Sequence, residues 1–294
     1  MTVLHGWHPT SPCGAACLPA DRGPAGTGRI VLRAVALTSM LVLVLLLGPW
    51  TLLLNRRGRH RCWQIVARGV LRSFGIRVRI DDRRPRSTRR QRGVLVVANH
   101  ISFLDGIAVA AVCPARFVIK REAMATGPTR LAGFSFGLLA HPREQLRTLR
   151  GDVARAERLL DRGRAVAVFP EGTTRCGASG NEPFRPAFFQ AAIDAGVPVQ
   201  PITVAYSVDG RTCTSASFIG DDEIGDTLGR VLRQRSMTVQ LTVHPLELPT
   251  PDRRSLARRC EEIVTRAPRR HEATPVRLEL TELIVPDVAV APVR

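Results

Sequence analysis

Apolar positions fall along this chain in three rhythms, one after another. From Ala34 to Leu54, AVALTSMLVLVLLLGPWTLLL holds no charged residue over 21 positions, and a hydrocarbon core needs only about 20 helical residues to cross. The stretch predicts a membrane helix. A signal peptide is a poorer fit, because its apolar centre is shorter and a small-residue cleavage site should follow. Pro49 leaves a third option, a kinked helix pair that enters and leaves one leaflet.

The second rhythm is helical. In CWQIVARGVLRSF, residues 62 to 74, a 3.6-residue period puts Trp63, Val66, Val70, Leu71 and Phe74 on one face, with Arg68 and Arg72 elsewhere. Such a helix suits either a bilayer surface or the flank of a folded domain.

From residue 76 the pattern changes to short apolar runs alternating with amphipathic stretches. Strands are predicted at Ile76 to Ile80, Val94 to Ala98, Phe117 to Ile119, Leu138 to Ala140, Ala165 to Phe169, Val199 to Ser207 and Thr238 to His244. Helices are predicted near Leu104 to Val112, Leu146 to Arg162, Pro186 to Ala195 and Arg254 to Arg266. This alternation predicts a single α/β domain, a mainly parallel sheet flanked by helices, whose strand ends offer a site. The expected organisation is a disordered leader over 1–29, a membrane-anchoring segment over 30–75, the domain over 76–267 and a tail over 268–294.

Charge sharpens the anchor and narrows the partners. The chain carries 43 basic and 25 acidic residues, a formal +18, and Lys120 is its single lysine. Arg56, Arg57, Arg59, His60 and Arg61 follow the apolar run and place the domain on the cytoplasmic side of a cell membrane, although Arg29 and Arg33 precede it. RRPRSTRRQR at 83–92 adds attraction to anionic lipid or is a solvated linker. Nucleic acid is not an expected partner: there is no zinc-finger spacing, no basic zipper, and one tyrosine in the whole chain. Seven scattered cysteines without a Cys-x-x-Cys pair read as reduced thiols, and no metal site is expected from them.

Two strand ends carry chemistry. VLVVANHISFLD delivers Asn99 and His100 to the edge of a sheet, with Asp105 at the start of the next helix. A carboxylate can hold one imidazole nitrogen while the other faces a substrate, which makes a general base. The same residues also fit a plain buried histidine beside a helix-capping aspartate. AVAVFPEGTTR, residues 165 to 175, is the second end: Gly172 permits a tight turn, Thr173 and Thr174 supply donors, and Arg175 offers a fork suited to phosphate. GFSFG at 133–137 matches a serine-hydrolase elbow around Ser135, with His244 as a conceivable partner. Its flanks lack the strand before and helix after that an elbow needs.

Together NHISFLD and FPEGTTR, with VPVQPITV at 197–204, resemble the PlsC-type glycerolipid acyltransferase family in motif order and spacing. The resemblance runs from about residue 76 to about residue 210. It implies a glycerol-3-phosphate acyltransferase-like fold, with His100 as base and Asp105 as its orienting carboxylate. It also implies binding of the acceptor by Asn99, Glu171, Gly172, Thr173 and Arg175. No acyl-enzyme and no cofactor are implied; acyl-CoA or acyl carrier protein is the co-substrate, and 1-acyl-glycerol-3-phosphate the acceptor. Where the family has an acid-Arg pair ending another strand, this chain reads GLLAHPR, residues 137 to 143, with Arg143 displaced, so Arg143 or His141 is the expected substitute ligand for the acceptor. That departure brings in other acceptors, such as a lyso-ornithine lipid. Oligomeric state is not legible.

Overall fold

A computed structural model of the chain describes residues 13–18, 25–89, 91–120, 138–141, 146–177, 182–219 and 222–266. Arg143, Ser135 with the GFSFG stretch, and the tail beyond 266 lie outside the described residues.

The domain is built on strands β1 (Ile76–Asp82), β2 (Val94–Ala98), β3 (Arg116–Lys120), β4 (Leu139–His141), β5 (Ala165–Val168), β6 (Val199–Val208), β7 (Arg211–Thr212) and β8 (Met237–Val243). Their order across the sheet is β1-β8-β6-β2-β5-β3-β4, with β7 hairpinned onto β6. Every neighbouring pair along that order is parallel except β8 with β6. The mainly parallel sheet is therefore as expected, with β1 and β8 reversed at one side.

Parallel strands covered by helices on both faces must be apolar at every position, and β2 shows this. Val94, Val96 and Ala98 enter one core, while Leu95 and Val97 enter the other. All five are buried, a gross stabilisation on the order of 8 kcal/mol before chain entropy is subtracted. One face carries α2 (Arg56–Ser73), α3 (Leu104–Ala110) and α6 (Ile224–Arg233); the other carries α4 (Leu146–Asp161), α5 (Phe189–Asp194) and α7 (Arg253–Arg266). Helix α6 and strand β7 had no counterpart in the sequence pattern. Gly225 and Gly229 interrupt the α6 periodicity, and the helix is held by a capping box in which Glu223 and Asp226 answer each other's backbone N–H. Burial of Val231, with Leu228 and Leu232 beside it, completes the helix.

The apolar segment differs from the predicted span. Helix α1 covers Thr27–Leu47, 21 residues, and remains long and apolar enough to cross a membrane. Gly48 and Pro49 end it, and Pro49–Leu53 continue as a 3-10 turn before Asn55 caps α2 through the Gly58 N–H. α2 then runs back beside α1: Met40 of α1 lies over Gly69 of α2, where an added Cβ would collide with it. Both ends of this hairpin are tied to the domain. Arg33 donates to the carbonyls of Leu232, Gln234 and Arg235 at the end of α6, and its guanidinium sits against Gly75, whose φ of +77° no side chain would tolerate there. The bend carries exposed Trp50, Leu53 and Leu54.

The leader is not uniformly loose. Ala15–Cys17 form a 3-10 turn, Cys13 is buried against Cys176 and Ile219, and Thr214 donates to the Cys17 carbonyl at 2.6 Å.

Candidate active site

Neighbouring parallel strands bring the two motifs together. Register pairs Val97 of β2 with Val168 of β5, so the segments leaving both carboxyl ends, Asn99–His100 and Phe169–Glu171, emerge side by side. The loops then lock: the His100 N–H donates to Glu171 Oε1 at 3.2 Å, and the Arg175 N–H donates to the His100 carbonyl at 2.9 Å.

Asp105 lies in the first turn of α3 and is fully buried. Its Oδ2 accepts the N–H groups of Ile101 (2.6 Å) and Ser102 (2.8 Å) and lies 3.0 Å from His100 Nδ1. Its Oδ1 accepts the Tyr206 hydroxyl at 2.7 Å. Both readings of this aspartate hold at once, since it caps the turn and also grips the imidazole. An ionised carboxylate only accepts, so Nδ1 carries the proton and Nε2 keeps its lone pair. The imidazole side chain is 14% exposed and lies flat on Phe169, ring centres 4.3 Å apart at 16°. A partly exposed base with a fixed tautomer is ready to take a proton.

Tyr206 escaped sequence reasoning, although it is the one tyrosine in the chain. It is buried on β6, and burial together with the negative charge of Asp105 raises its pKa well above the ordinary value. The phenol therefore stays protonated and always donates. Its signal was present, a polar-tipped aromatic inside an apolar strand, but its partner is a hundred residues away.

The expected acceptor-binding residues divide into three groups. Asn99 is buried and faces the sheet: its amide donates to the Val204 carbonyl at 2.9 Å and accepts the Val204 N–H at 2.8 Å. It staples β6 to the β2 exit and is not free to meet a substrate. Glu171, 1% exposed, holds the His100 backbone from beneath. Gly172 turns at φ +76° under the guanidinium of Arg185, 3.0 Å from where a Cβ would stand. Thr173 is half-buried there. Arg175 is ion-paired with Glu182, while its buried Nε has no partner. Its fork is therefore shared with an acid, contrary to the expectation of an open phosphate ligand. Exposed Arg185 was missed because it lies in FRPAFF, beyond the motif.

The hydrolase alternative loses its histidine. His244 is buried on the far side of β6, where its Nε2 lies 2.9 Å from Thr203 Oγ1, which in turn donates to the Val264 carbonyl of α7. Desolvation, then the charge of Arg83, lowers its pKa. It is a neutral structural donor.

A family model described as Acyltransferase matches residues 75–205, and both motifs lie within that match. The chain is also 33% identical over 253 residues, 80% of its length, to a lyso-ornithine lipid O-acyltransferase of Pseudomonas aeruginosa, and covers 92% of that protein. The chain belongs to the acyltransferase family. A 1-acyl-sn-glycerol-3-phosphate acyltransferase of Neisseria meningitidis is 31% identical over 62% of this chain and 70% of its own. The solved 1-acyl-sn-glycerophosphate acyltransferase PlsC of Thermotoga maritima shares the fold, with a TM-score of 0.58 over 81% of this chain and 95% of that one at 19% identity. This acyltransferase is thus an enzyme of glycerolipid or lysolipid acylation.

Proposed function

We propose that the acyltransferase moves a fatty acyl group from a thioester, acyl-CoA or acyl carrier protein, to the free hydroxyl of a lysolipid at the membrane surface. The observation that carries this reading is the His100–Asp105 pair on Phe169, with one nitrogen held and the other open. The acceptor hydroxyl gives its proton to His100 Nε2 as its oxygen attacks the thioester carbonyl. A C–O bond forms, the C–S bond breaks, and the imidazolium returns the proton to the departing thiolate. Asp105 stabilises the transient imidazolium while Ile101, Ser102 and Tyr206 hold its carboxylate still. The acceptor is the nucleophile, so no acyl-enzyme forms.

For the acceptor headgroup, Arg175 and Glu182 offer adjacent opposite charges, which supports a zwitterion of the lyso-ornithine kind: the arginine for a carboxylate, the glutamate for an ammonium. The near full-length match to lyso-ornithine lipid O-acyltransferases supports the same choice. A specific observation favours the second acceptor, 1-acyl-glycerol-3-phosphate: the exposed guanidinium of Arg185 over Gly172 suits a phosphate.

The hairpin α1–α2 leaves and rejoins the domain at Arg33 and Gly75, which supports an anchor that dips into one leaflet. The exposed apolar surface of α1 would meet the acyl chains. Arg57, Arg61, Arg68 and Arg72, exposed along one side of α2, would meet anionic headgroups of the cytoplasmic leaflet.

The test is incubation of membranes carrying the protein with labelled acyl-CoA and a panel of lysolipids. Acylation of lyso-ornithine lipid that weakens in Glu182→Gln, with glycerophosphate acceptors used at least tenfold less well, supports the zwitterionic reading. Preference for 1-acyl-glycerol-3-phosphate, lost in Arg185→Ala, would favour the phosphate reading. No product from any lysolipid sinks both.

A further inference from the structure

Three of the seven cysteines that lie scattered in sequence converge in space. The sulfur atoms of Cys13, Cys17 and Cys176 all lie within 4.8 Å of one another. We propose that these three thiols form a thiolate site for a zinc ion, which clips the N-terminal segment onto the loop that leaves the FPEGTTR motif.

Geometry comes first. Three thiolates on one tetrahedral zinc, at Zn–S distances of about 2.3 Å, stand about 3.8 Å apart. That figure lies inside the 4.8 Å within which all three sulfurs stand. Cys13 precedes the turn at Ala15–Cys17 and Cys17 ends it, so a four-residue step brings both sulfurs together, and Cys176 arrives from the motif loop.

The surroundings suit sulfurs bound to a cation. The Cys176 N–H points at Cys13 Sγ, 3.2 Å away, the kind of outer hydrogen bond that supports and orients a metal-bound sulfur. Cys13 and Cys176 are 3% and 2% exposed, with Ile219 and Leu18 around them. Burying even one bare thiolate there would be unfavourable, whereas a dication neutralises most of the charge of three. Cys17 is half-buried, so an ion can reach the cluster from solvent, and water or a small exogenous ligand would complete a tetrahedron. Each thiol that ligates releases its proton to the medium, so binding weakens as pH falls.

Position gives the clip a role. Cys176 directly follows Arg175, whose N–H is bonded to the His100 carbonyl, and the Thr214 hydroxyl holds the Cys17 carbonyl. Zinc would therefore brace the leader, the 214–219 segment and the loop behind the catalytic imidazole as one unit. It touches no substrate and takes no part in acyl transfer.

The experiment uses the full chain, purified in detergent micelles under reductant and without chelator, with metal measured by mass spectrometry and the protein reloaded with Co2+. Wild type and Cys62→Ser should each carry roughly one zinc per chain and show a thiolate-to-cobalt charge-transfer band. Cys17→Ser should bind Co2+ at least about tenfold more weakly and lose that band, and chelator should lower the Tm of wild type but not of this variant. Because Cys17 is half-buried, its serine variant is expected to fold even where Cys13→Ser or Cys176→Ser does not. The proposal is overturned if wild type takes up neither metal, if Cys17→Ser retains both fully, or if peptide mapping of the reduced preparation finds Cys13 disulfide-bonded to Cys17 or Cys176.

Discussion

Tyr206→Phe removes one oxygen and tests how His100, the proposed general base, is held. The carboxylate of Asp105 receives four donors: Ile101 N–H, Ser102 N–H and His100 Nδ1 on one oxygen, and the Tyr206 hydroxyl alone on the other. Deleting the hydroxyl leaves Oδ1 without that donor in a fully buried site. A hydrogen bond to a charged acceptor contributes about 1.5–3 kcal/mol, and a buried acceptor stripped of its donor loses at least as much. For a domain of this size that is a fall in Tm of about 3–12 °C. Catalysis should suffer less than stability, because two backbone N–H groups still pin the oxygen that faces the imidazole. A loss of about 1–2 kcal/mol of transition-state positioning corresponds to roughly 5- to 30-fold in kcat. Acyl transfer to a lysolipid from labelled acyl-CoA, with kcat and KM separated, should show kcat falling while both KM values stay within about twofold. An unchanged Tm together with an unchanged kcat would refute the claim that the phenol holds this carboxylate. A rise in KM with kcat intact would place Tyr206 in substrate binding instead.

His100→Ala should lower acyl transfer by at least about 100-fold and also cost about 1.5–3 kcal/mol of stability, because the buried Asp105 carboxylate loses one of its donors; turnover within tenfold of wild type would remove the base from the mechanism. Arg33→Ala should destabilise by roughly 2–4 kcal/mol, since three carbonyls at the end of α6 lose their donor, and the readout is urea unfolding in detergent together with weaker vesicle retention. His244 is buried neutral with its pKa lowered from 6.5, so the unfolded chain binds more protons. Its contribution to stability is complete above about pH 6.5 and is lost as pH falls toward and through the folded value. Tm measured from about pH 8 to about pH 5 should drop more steeply in wild type than in His244→Gln; parallel curves would show that this histidine is not the group responsible.

Much of this protein is written in local pattern. The β2 run, apolar at every position, could only be a strand covered on both faces, and residues following it at fixed offsets had to emerge at a strand end. His100 and Asp105 are five residues apart across one tight turn, so their meeting follows from short-range geometry. The same holds for Gly172, whose positive φ is a local demand of the turn. Contacts made by distant segments were not legible, because nothing in a window of sequence reports what packs across the sheet. Asn99 looked like a ligand until β6 supplied a carbonyl and an N–H for its amide. Arg175, by contrast, read as a lone phosphate ligand although Glu182, only seven residues on, shares its charge. The apolar segment declared its hydrophobicity but not its path: Arg33 near the start of α1 lies against Gly75 just past the end of α2, and that distant contact closes the hairpin. Composition and spacing thus determined the strands, the apolar segment and the imidazole with its carboxylate; which polar groups remained available for a ligand was decided only when the chain folded and other segments claimed the rest.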